Sequence, residues 1–327
     1  MNDATLTAEA PKRERLLTFR SGGWVILLAV VMMSLVLLQA LMHLGKQRAA
    51  RIGDGHDVST YQFDLETTLI PRDEIVAGGM WRDKTPPLVD PETWTLGEHE
   101  SRKSRRGKTM LLPGDRVIGV SILGEARAYP LMIMNWHEVA NDTLGGKRIA
   151  VSYHPLCDGV AVFDREVDGE TIEFGISGLL WNSNQLLYDR RETIGTESLW
   201  SQLQGRAVAG PSAAAGKTLE PVEFRLMTWG KWKAAHPETT VLSPLPALAR
   251  DYKRRPYAPY FSMQQPREEF PVSSYPPPGE RSRAWKRIAV LADGRLVRYE
   301  EDAPKARYHA FWWAWHSTHA GSPARPE

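Results

Sequence analysis

Cysteine is nearly absent from this chain, whose 327 residues contain a single one, Cys157. One thiol excludes an internal disulfide framework and the haem attachment motif CxxCH, which needs two cysteines. A phosphate-binding GxxxxGK[ST] loop and a strand followed by GxGxxG are also missing, so nothing points to the common nucleotide-binding folds. HEVAN at 137–141 is not HExxH, and GISG at 175–178 lacks the spacing of GxSxG. The familiar signatures of metalloproteases and α/β-hydrolases are therefore absent.

The chain also has no excess of charge of one sign. It contains 41 basic and 39 acidic residues, for a formal net charge of +2. Nucleic-acid-binding domains usually show a strongly basic domain or face, so we expect no nucleic-acid partner. One basic run, RKSRRGK at 102–108, stands out. Such a run is typical of a solvated loop, and contact with anionic lipid headgroups is the alternative.

One long apolar run is present, at residues 24–44 (WVILLAVVMMSLVLLQALMHL). As a helix it would be roughly 32 Å long, enough to cross the hydrocarbon core of a membrane. It exceeds the apolar region of a cleaved signal peptide, which is about 7–15 residues. The pattern predicts an uncleaved anchor that contacts inner-membrane lipid. More basic residues precede the run than follow it closely, which favours a cytoplasmic tail at 1–23 and an exported C-terminal part.

The remaining sequence divides at about residue 110. Residues 45–109 are polar, interrupted by prolines and without a sustained period, which predicts a stalk or arm. Residues 110–320 contain short strand-like runs separated by turn signals, including Asp168-Gly169 between two such runs. We predict an α+β, mainly β domain: an antiparallel, hairpin-rich sheet or barrel-like arrangement with a few short helices, followed by a tail at 321–327.

Two short helices and one irregular segment are predicted within this domain. Pro130 is suited to the start of a helix over LMIMNWHEVAN, and Thr228 is a candidate cap for WGKWKAAH. Residues 256–278 are rich in proline and aromatic residues, which predicts an irregular loop held by aromatic packing.

Metal-ligating side chains are concentrated in two nearby stretches, LMIMNWHE and YHPLC. The candidate ligands are His137, His154 and Cys157, with Met132 and Met134 as further possibilities. His154 and Cys157 have the two-residue spacing common in tight metal-binding loops. Thiolate, imidazole and thioether ligands suit soft or borderline ions, so copper is favoured over zinc. Alternatively, Cys157 is a small buried hydrophobic residue, as free cysteines often are.

Several long motifs, among them NWHEVANDTLGG, YHPLCDGVAVFDR, FGISGLLWNSNQLLYDR and AFWWAW, resemble one bacterial family. It is the exported domain of unknown function numbered 3179, and the resemblance covers roughly residues 110–316. It implies an extracytoplasmic domain and brings no established activity.

The family's motif around the cysteine resembles YCPLC, whereas this chain has His154 at the first cysteine position. A disulfide-exchange mechanism needs both sulfurs, so this departure counts against a thiol oxidoreductase. A metal site would survive the change, because imidazole and thiolate both bind copper and zinc. The leading prediction is therefore a membrane-anchored periplasmic protein for envelope metal handling or redox chemistry.

Two alternatives stay open. In one, Cys157 is the nucleophile of an envelope enzyme for acyl or peptidyl transfer or hydrolysis. His137 or His154 would then act as base, oriented by Glu138 or Asp158. In the other, the chain is a non-catalytic envelope scaffold or binding module, with an envelope protein among its possible partners.

Overall fold

The computed structural model describes residues 23–49, 51–102, 110–248, 251–254, 256–276, 281–300 and 304–320. The chain divides into two compact units, Met1–Arg51 and Ile52–Glu327. The first contains helix α1 (Gly23–Ala49), of which only the side chains of 24–39 are described. Within the described residues, no helix combines the length and apolar character needed to span a bilayer. The predicted anchor therefore stays a prediction.

Three other predicted features fall outside the described residues. They are the cytoplasmic tail up to residue 22, the basic run from residue 103 onward, and the tail at 321–327.

The second unit is mainly β, as predicted. Its strands are β1 (Ile75–Ala77), β2 (Leu88–Val89), β3 (Thr93–Thr95), β4 (Arg116–Ile122), β5 (Glu125–Pro130), β6 (Val139–Leu144), β7 (Lys147–His154), β8 (Gly159–Asp164), β9 (Glu166–Val167), β10 (Glu170–Thr171), β11 (Phe174–Trp181), β12 (Asn184–Asp189), β13 (Leu199–Ser201), β14 (Arg206–Ala209), β15 (Phe224–Thr228), β16 (Thr240–Leu242), β17 (Arg287–Val290), β18 (Leu296–Arg298) and β19 (Tyr308–Phe311). Its α-helices are α2 (Leu96–Ser101), α3 (Leu131–His137), α4 (Pro211–Ala214), α5 (Trp229–Ala235), α6 (Ala258–Met263), α7 (Arg281–Ala284) and α8 (Trp312–Thr318).

In the described part of the chain, most strands belong to three sheets. The first has the order β1-β11-β12-β13-β14, the second β15-β4-β5-β16-β3, and the third β18-β17-β19-β8-β7-β6-β2. The short pair β9–β10 stands apart. Pairing is antiparallel throughout, except that β2 runs parallel to β6 and β16 runs parallel to β5.

The third sheet lies between the other two. Alternate residues of β7, such as Ile149 and Val151, pack with Ile118 and Tyr129 of the second sheet. The residue between them, Ala150, packs in another cluster with side chains of the first sheet, among them Phe174, Ile176, Leu187 and Trp200. Because successive side chains of a strand point to opposite faces, both faces of this sheet are buried. This explains why IAV of β7 and GVAVF of β8 are continuous apolar runs rather than alternating ones.

The structure corrects two predictions about this unit. Residues 52–102 are not a separate stalk, because β1, β2 and β3 each pair with a strand of a different sheet. Their signal was weak because the strands are two or three residues long, too short for a period to show. The strands also form stacked sheets rather than one sheet or a barrel-like arrangement.

Local predictions mostly agree with the structure. Asp168-Gly169 connects β9 and β10, as expected, and a further hairpin is formed by β4 and β5. Helix α3 follows Pro130, but it ends at His137, and Val139–Asn141 belong to β6. Helix α5 follows Thr228, although the Thr228 side chain makes no capping hydrogen bond. The described part of the predicted irregular loop, residues 256–276, is largely irregular but contains α6.

Candidate functional site

The HPLCDG sequence forms the connection between two hydrogen-bonded strands. His154 ends β7 and is paired with Gly159, the first residue of β8. Between them, Pro155–Cys157 form one turn of 3-10 helix, and Asp158 takes a left-handed conformation with φ of 47°. The spacing of His154 and Cys157 therefore reflects a tight hairpin turn, which directs the two side chains to different surroundings.

The Cys157 side chain lies in an apolar cluster with Phe311 and Trp313, and it is fully buried. Asn184 donates a hydrogen bond from Nδ2 to the sulfur at 3.1 Å. The thiol points toward the backbone carbonyl of His154, at 3.7 Å, and makes no hydrogen bond with the imidazole ring of that residue. Burial raises the pKa of the Cys157 thiol to about 12, and the hydrogen bond from Asn184 opposes that rise only in part. A buried, protonated thiol is a poor nucleophile and a poor metal ligand.

His137 is committed to structural hydrogen bonds. Its Nδ1 lies 2.7 Å from the carbonyl oxygen of Pro86, and its Nε2 lies 2.6 Å from the hydroxyl of Tyr252. Burial lowers the pKa of His137, against the effect of the Pro86 hydrogen bond. The imidazole ring thus ties α3 to two distant segments. Met134 is buried in the main core cluster and Met132 packs against it.

The predicted metal ligands do not come together. Across the part of the chain that the structure describes, no group of three or more histidine, cysteine, aspartate or glutamate side chains could hold a metal ion. His137, His154 and Cys157 are therefore not assembled as one ligand set. Copper or zinc binding stays a prediction, and elemental analysis of the purified chain beside a Cys157→Ser variant tests it.

Asp158 also has a structural role. Burial acts to raise the pKa of its carboxyl, but the charges of Arg116, His309 and Arg287 outweigh burial and hold it well below its usual range. Arg116 donates hydrogen bonds to both carboxylate oxygens, at 3.1 to 3.2 Å, and Tyr153 donates another at 3.0 Å. Asp158 thus fixes the hairpin turn, and it does not orient a catalytic histidine through its carboxylate.

A cavity of about 270 Å³ lies beside the hairpin turn, on the side of His154. Much of its wall is apolar and comes from the turn, from β11 and β12, and from the segment at 256–276. The apolar side chains of this wall include Leu156, Ile176, Leu179, Leu180, Leu186 and Phe270. Ligand pockets in proteins commonly have volumes of about 300–1,000 Å³, with mostly apolar walls and a few polar groups. The size of the cavity therefore suits a small molecule.

Glu138 and His154 provide a charged and a polar group in this cavity. Both are nearly fully buried, with exposed fractions of 2% and 5%. Oε2 of Glu138 lies 3.7 Å from Nδ1 of His154, which is too long for a hydrogen bond. Neither ring nitrogen of His154 has a hydrogen-bond partner among the described residues. Leaving a buried polar group without a partner costs about 1–3 kcal/mol, and such groups are rare in native proteins.

The backbone of Glu138 is strained. It follows the last residue of α3 with φ of 55° and ψ of −30°, a region that residues other than glycine seldom occupy. Two backbone hydrogen bonds hold it there: its N–H donates to the carbonyl of Met134, and its carbonyl accepts from the N–H of Tyr153. Strain of this kind costs about 1–3 kcal/mol and is concentrated at functional sites. The strain therefore supports a functional role for the Glu138 side chain.

Gln185 is a third polar group of the cavity. It is 2% exposed, and neither its amide nitrogen nor its amide oxygen has a partner among the described residues. Gln202, a second buried glutamine, provides a contrast. Its amide group donates to the Ser152 hydroxyl and the Gly159 carbonyl, and accepts from Asn184. The two glutamines therefore differ: the amide of Gln202 is fully partnered, whereas that of Gln185 has no partner among the described residues.

The segment at 256–276 supplies another part of the cavity wall, through Tyr257, Arg267 and Phe270. The turn between β11 and β12 holds it in place. Asn182 Oδ1 accepts from the N–H and the hydroxyl of Ser273, at 2.7 and 2.9 Å, and Ser183 donates to the carbonyl of Phe270 at 2.5 Å. Both turn residues have positive φ, as a two-residue hairpin turn requires.

Sequence reasoning found part of this site. His154 was identified as a metal ligand or a base, and Glu138 only as an orienting residue. Gln185, Tyr257, Arg267 and Phe270 were missed as site residues. No motif marks these four residues, since the feature that joins them is a cavity formed by strands and an irregular segment far apart in sequence.

The comparisons with known proteins identify the family and add no activity. The model of a protein family of unknown function, DUF3179, matches residues 82–305, which is more than half of the chain. The match begins within the predicted stalk, in agreement with the strands found there. No significant match was found among curated proteins or among solved structures. The chain belongs to the DUF3179 family.

Proposed function

We propose that this chain is a binding module for a small, partly apolar molecule, and that the cavity beside the hairpin turn is its binding site. The observation that carries the proposal is the set of unpartnered polar groups on an otherwise apolar wall. A buried imidazole and a buried amide that have no partner among the described residues can both hydrogen-bond to a ligand in the cavity.

This proposal takes up the second of the two alternatives that the sequence left open. A cysteine-dependent enzyme is less well supported, because the Cys157 thiol is buried, protonated at neutral pH and not hydrogen-bonded to a histidine ring. We retain, as part of the proposal, anchoring through residues 24–44 and a position outside the cytoplasm. A reporter that is active only in the periplasm, fused after Glu327, tests that part: an inactive reporter contradicts it.

The test of binding compares two buried glutamines. Gln185→Leu replaces an unpartnered amide with an apolar side chain, so we expect stability to stay the same or rise while ligand binding is lost. Gln202→Leu is the matched control. It removes the partner of Ser152, Gly159 and Asn184, so we expect stability to fall by about 1–3 kcal/mol or more.

Binding is measured by ligand-observed NMR with a set of small amphiphiles, each with one alkyl or aryl body and one amine, carboxylate, amide or alcohol group. We expect at least one member to bind the wild type and not Gln185→Leu. The proposal is wrong if no member binds, or if binding is unchanged in Gln185→Leu, since the molecule would then bind elsewhere.

A further inference from the structure

The two charged side chains of the cavity differ in sign and in position. Glu138 is buried, whereas Arg267 is exposed and therefore stands where the cavity meets solvent. They are the charged lining residues in the described part of the chain, leaving aside His154. A ligand in the cavity thus meets one buried carboxylate and one exposed guanidinium.

Tyr257 shows that both charges act within the same small space. Burial raises the pKa of the Tyr257 phenol to about 12; the charge of Glu138 adds to the rise and the charge of Arg267 opposes it. Both residues are therefore close enough to Tyr257 for their charges to be felt at its hydroxyl. Since Tyr257 lines the cavity with them, a small ligand beside it can reach both charges.

Neither charge is neutralised by a close ion pair with the opposite charge. The Glu138 carboxylate accepts no hydrogen bond within the described residues, and the ring of His154 lies 3.7 Å from it. Arg267 lies over the ring of Tyr260, at 5.7 Å, and forms no ion pair with a carboxylate of the described residues. By contrast, the buried Glu197 is paired with Arg82 at 2.7 Å. The charges of the cavity thus remain available to a ligand.

From this arrangement, and on the basis of the proposed function, we infer that the ligand is a zwitterionic amino acid with an apolar side chain. Its ammonium group binds Glu138, its carboxylate binds Arg267, and its side chain packs on the leucine and isoleucine wall. Gln185 and His154 supply further hydrogen bonds to the polar end. A zwitterion is favoured because a ligand with one charge would leave the other protein charge without a partner. The cavity volume of about 270 Å³ suits a single amino acid rather than a longer peptide.

The test uses leucine and two analogues that each lack one charge. The analogue 3-methylbutylamine lacks the carboxylate, and 4-methylpentanoate lacks the ammonium group, while both keep the branched apolar end. Affinities are measured by calorimetry and by ligand-observed NMR, with methionine and phenylalanine as further zwitterions. We expect at least one of the three amino acids to bind, and each single-charge analogue of leucine to bind about tenfold or more weakly than leucine.

Two variants test which group of the ligand binds Glu138 and which binds Arg267. Glu138→Gln should weaken the binding of leucine and of the amine and leave that of 4-methylpentanoate unchanged or stronger. Arg267→Gln should weaken the binding of leucine and of 4-methylpentanoate and leave that of the amine unchanged. Arg254→Gln is the control, because Arg254 is exposed, pairs with Asp251 and does not line the cavity. It should leave all affinities unchanged.

The outcomes separate this inference from the proposed function. If other amphiphiles bind in a manner that depends on Gln185 but no amino acid does, the inference is wrong and the binding module stands. The same holds if a single-charge analogue binds as tightly as leucine. If neither amino acids nor amphiphiles bind, both are wrong.

Discussion

Oε2 of Glu138 and Nδ1 of His154 lie 3.7 Å apart, although both side chains are buried. The pair is thus close enough for each group to affect the other but too far apart for a hydrogen bond. In the rest of this unit, buried carboxylates are paired closely: Asp158 contacts two arginines, and Glu197 contacts Arg82 at 2.7 Å. The loosely paired groups are the ones that line the cavity.

This contrast predicts opposite stability effects for two buried glutamates. Glu138→Gln removes a charge that lacks a close partner, so we expect the free energy of unfolding to stay within about 1 kcal/mol of wild type or to rise. Glu197→Gln leaves Arg82 buried without its partner, so we expect a loss of about 3–5 kcal/mol. Urea unfolding of both variants measures the difference. A large loss for Glu138→Gln would show that its carboxylate stabilises the fold.

The high pKa of Cys157 predicts a loss of stability in alkaline solution. In the folded chain burial raises the thiol pKa from 9.0 to about 12, whereas in the unfolded chain it has its ordinary value. The stabilising effect of the raised pKa is complete below about pH 9 and is lost as pH rises toward 12, because only the unfolded state releases the proton. From about pH 8 to about pH 10, the loss from this thiol should be about 1.4 kcal/mol.

Urea unfolding at both pH values measures this loss, with Cys157→Ala as the control. Other groups also titrate in this range, so the comparison is between the two proteins. Between these pH values, the free energy of unfolding should fall by about 1.4 kcal/mol less in Cys157→Ala than in wild type. Identical pH dependence in both proteins would mean that the thiol is not protected from ionisation. Alkylation of Cys157 should likewise be slow until the chain unfolds.

His137 predicts a loss of stability in mild acid. In the folded chain, burial lowers the pKa of His137 below its ordinary value of 6.5. The unfolded state therefore binds a proton more readily than the folded state does. The contribution of the neutral His137 ring to the free energy of unfolding is fully present above about pH 6.5. It falls as pH decreases through that value. Unfolding midpoints at about pH 7.5 and about pH 5.5 should differ more for wild type than for His137→Gln. An equal difference in both proteins would contradict the shift. His56→Gln serves as the control, because His56 is exposed and its ring makes no hydrogen bond with another described residue.

The Asn182 side chain predicts a local effect on the wall of the cavity. Asn182→Gly keeps the positive φ of the turn and removes the hydrogen bonds to Ser273. We expect the chain to remain folded while amide exchange at Ser273 speeds up about 5- to 30-fold, as a loss of about 1–2 kcal/mol implies. Hydrogen exchange resolved by mass spectrometry measures this change. Exchange at residues of β7 should be unaffected, and a general increase there would contradict a local role.

The sequence alone determined the class of fold and most of its local structure. Short strand-like runs marked residues 110–320 as mainly β, and Asp168-Gly169 marked the turn between β9 and β10. These features are local, since a strand's periodicity and a turn's backbone conformation depend on adjacent residues. The family was also evident from the order of its motifs.

The tertiary structure alone decided the candidate site. In sequence, His154 and Cys157 look like one metal-binding pair, but the hairpin turn places the sulfur against Trp313 and the imidazole in the cavity. Gln185 and Arg267 join His154 there only because strands far apart in sequence pack together and an irregular segment covers them. Spacing along the chain fixes which residues are neighbours in a turn, whereas the direction of each side chain, and the groups it meets, depend on how the sheets stack.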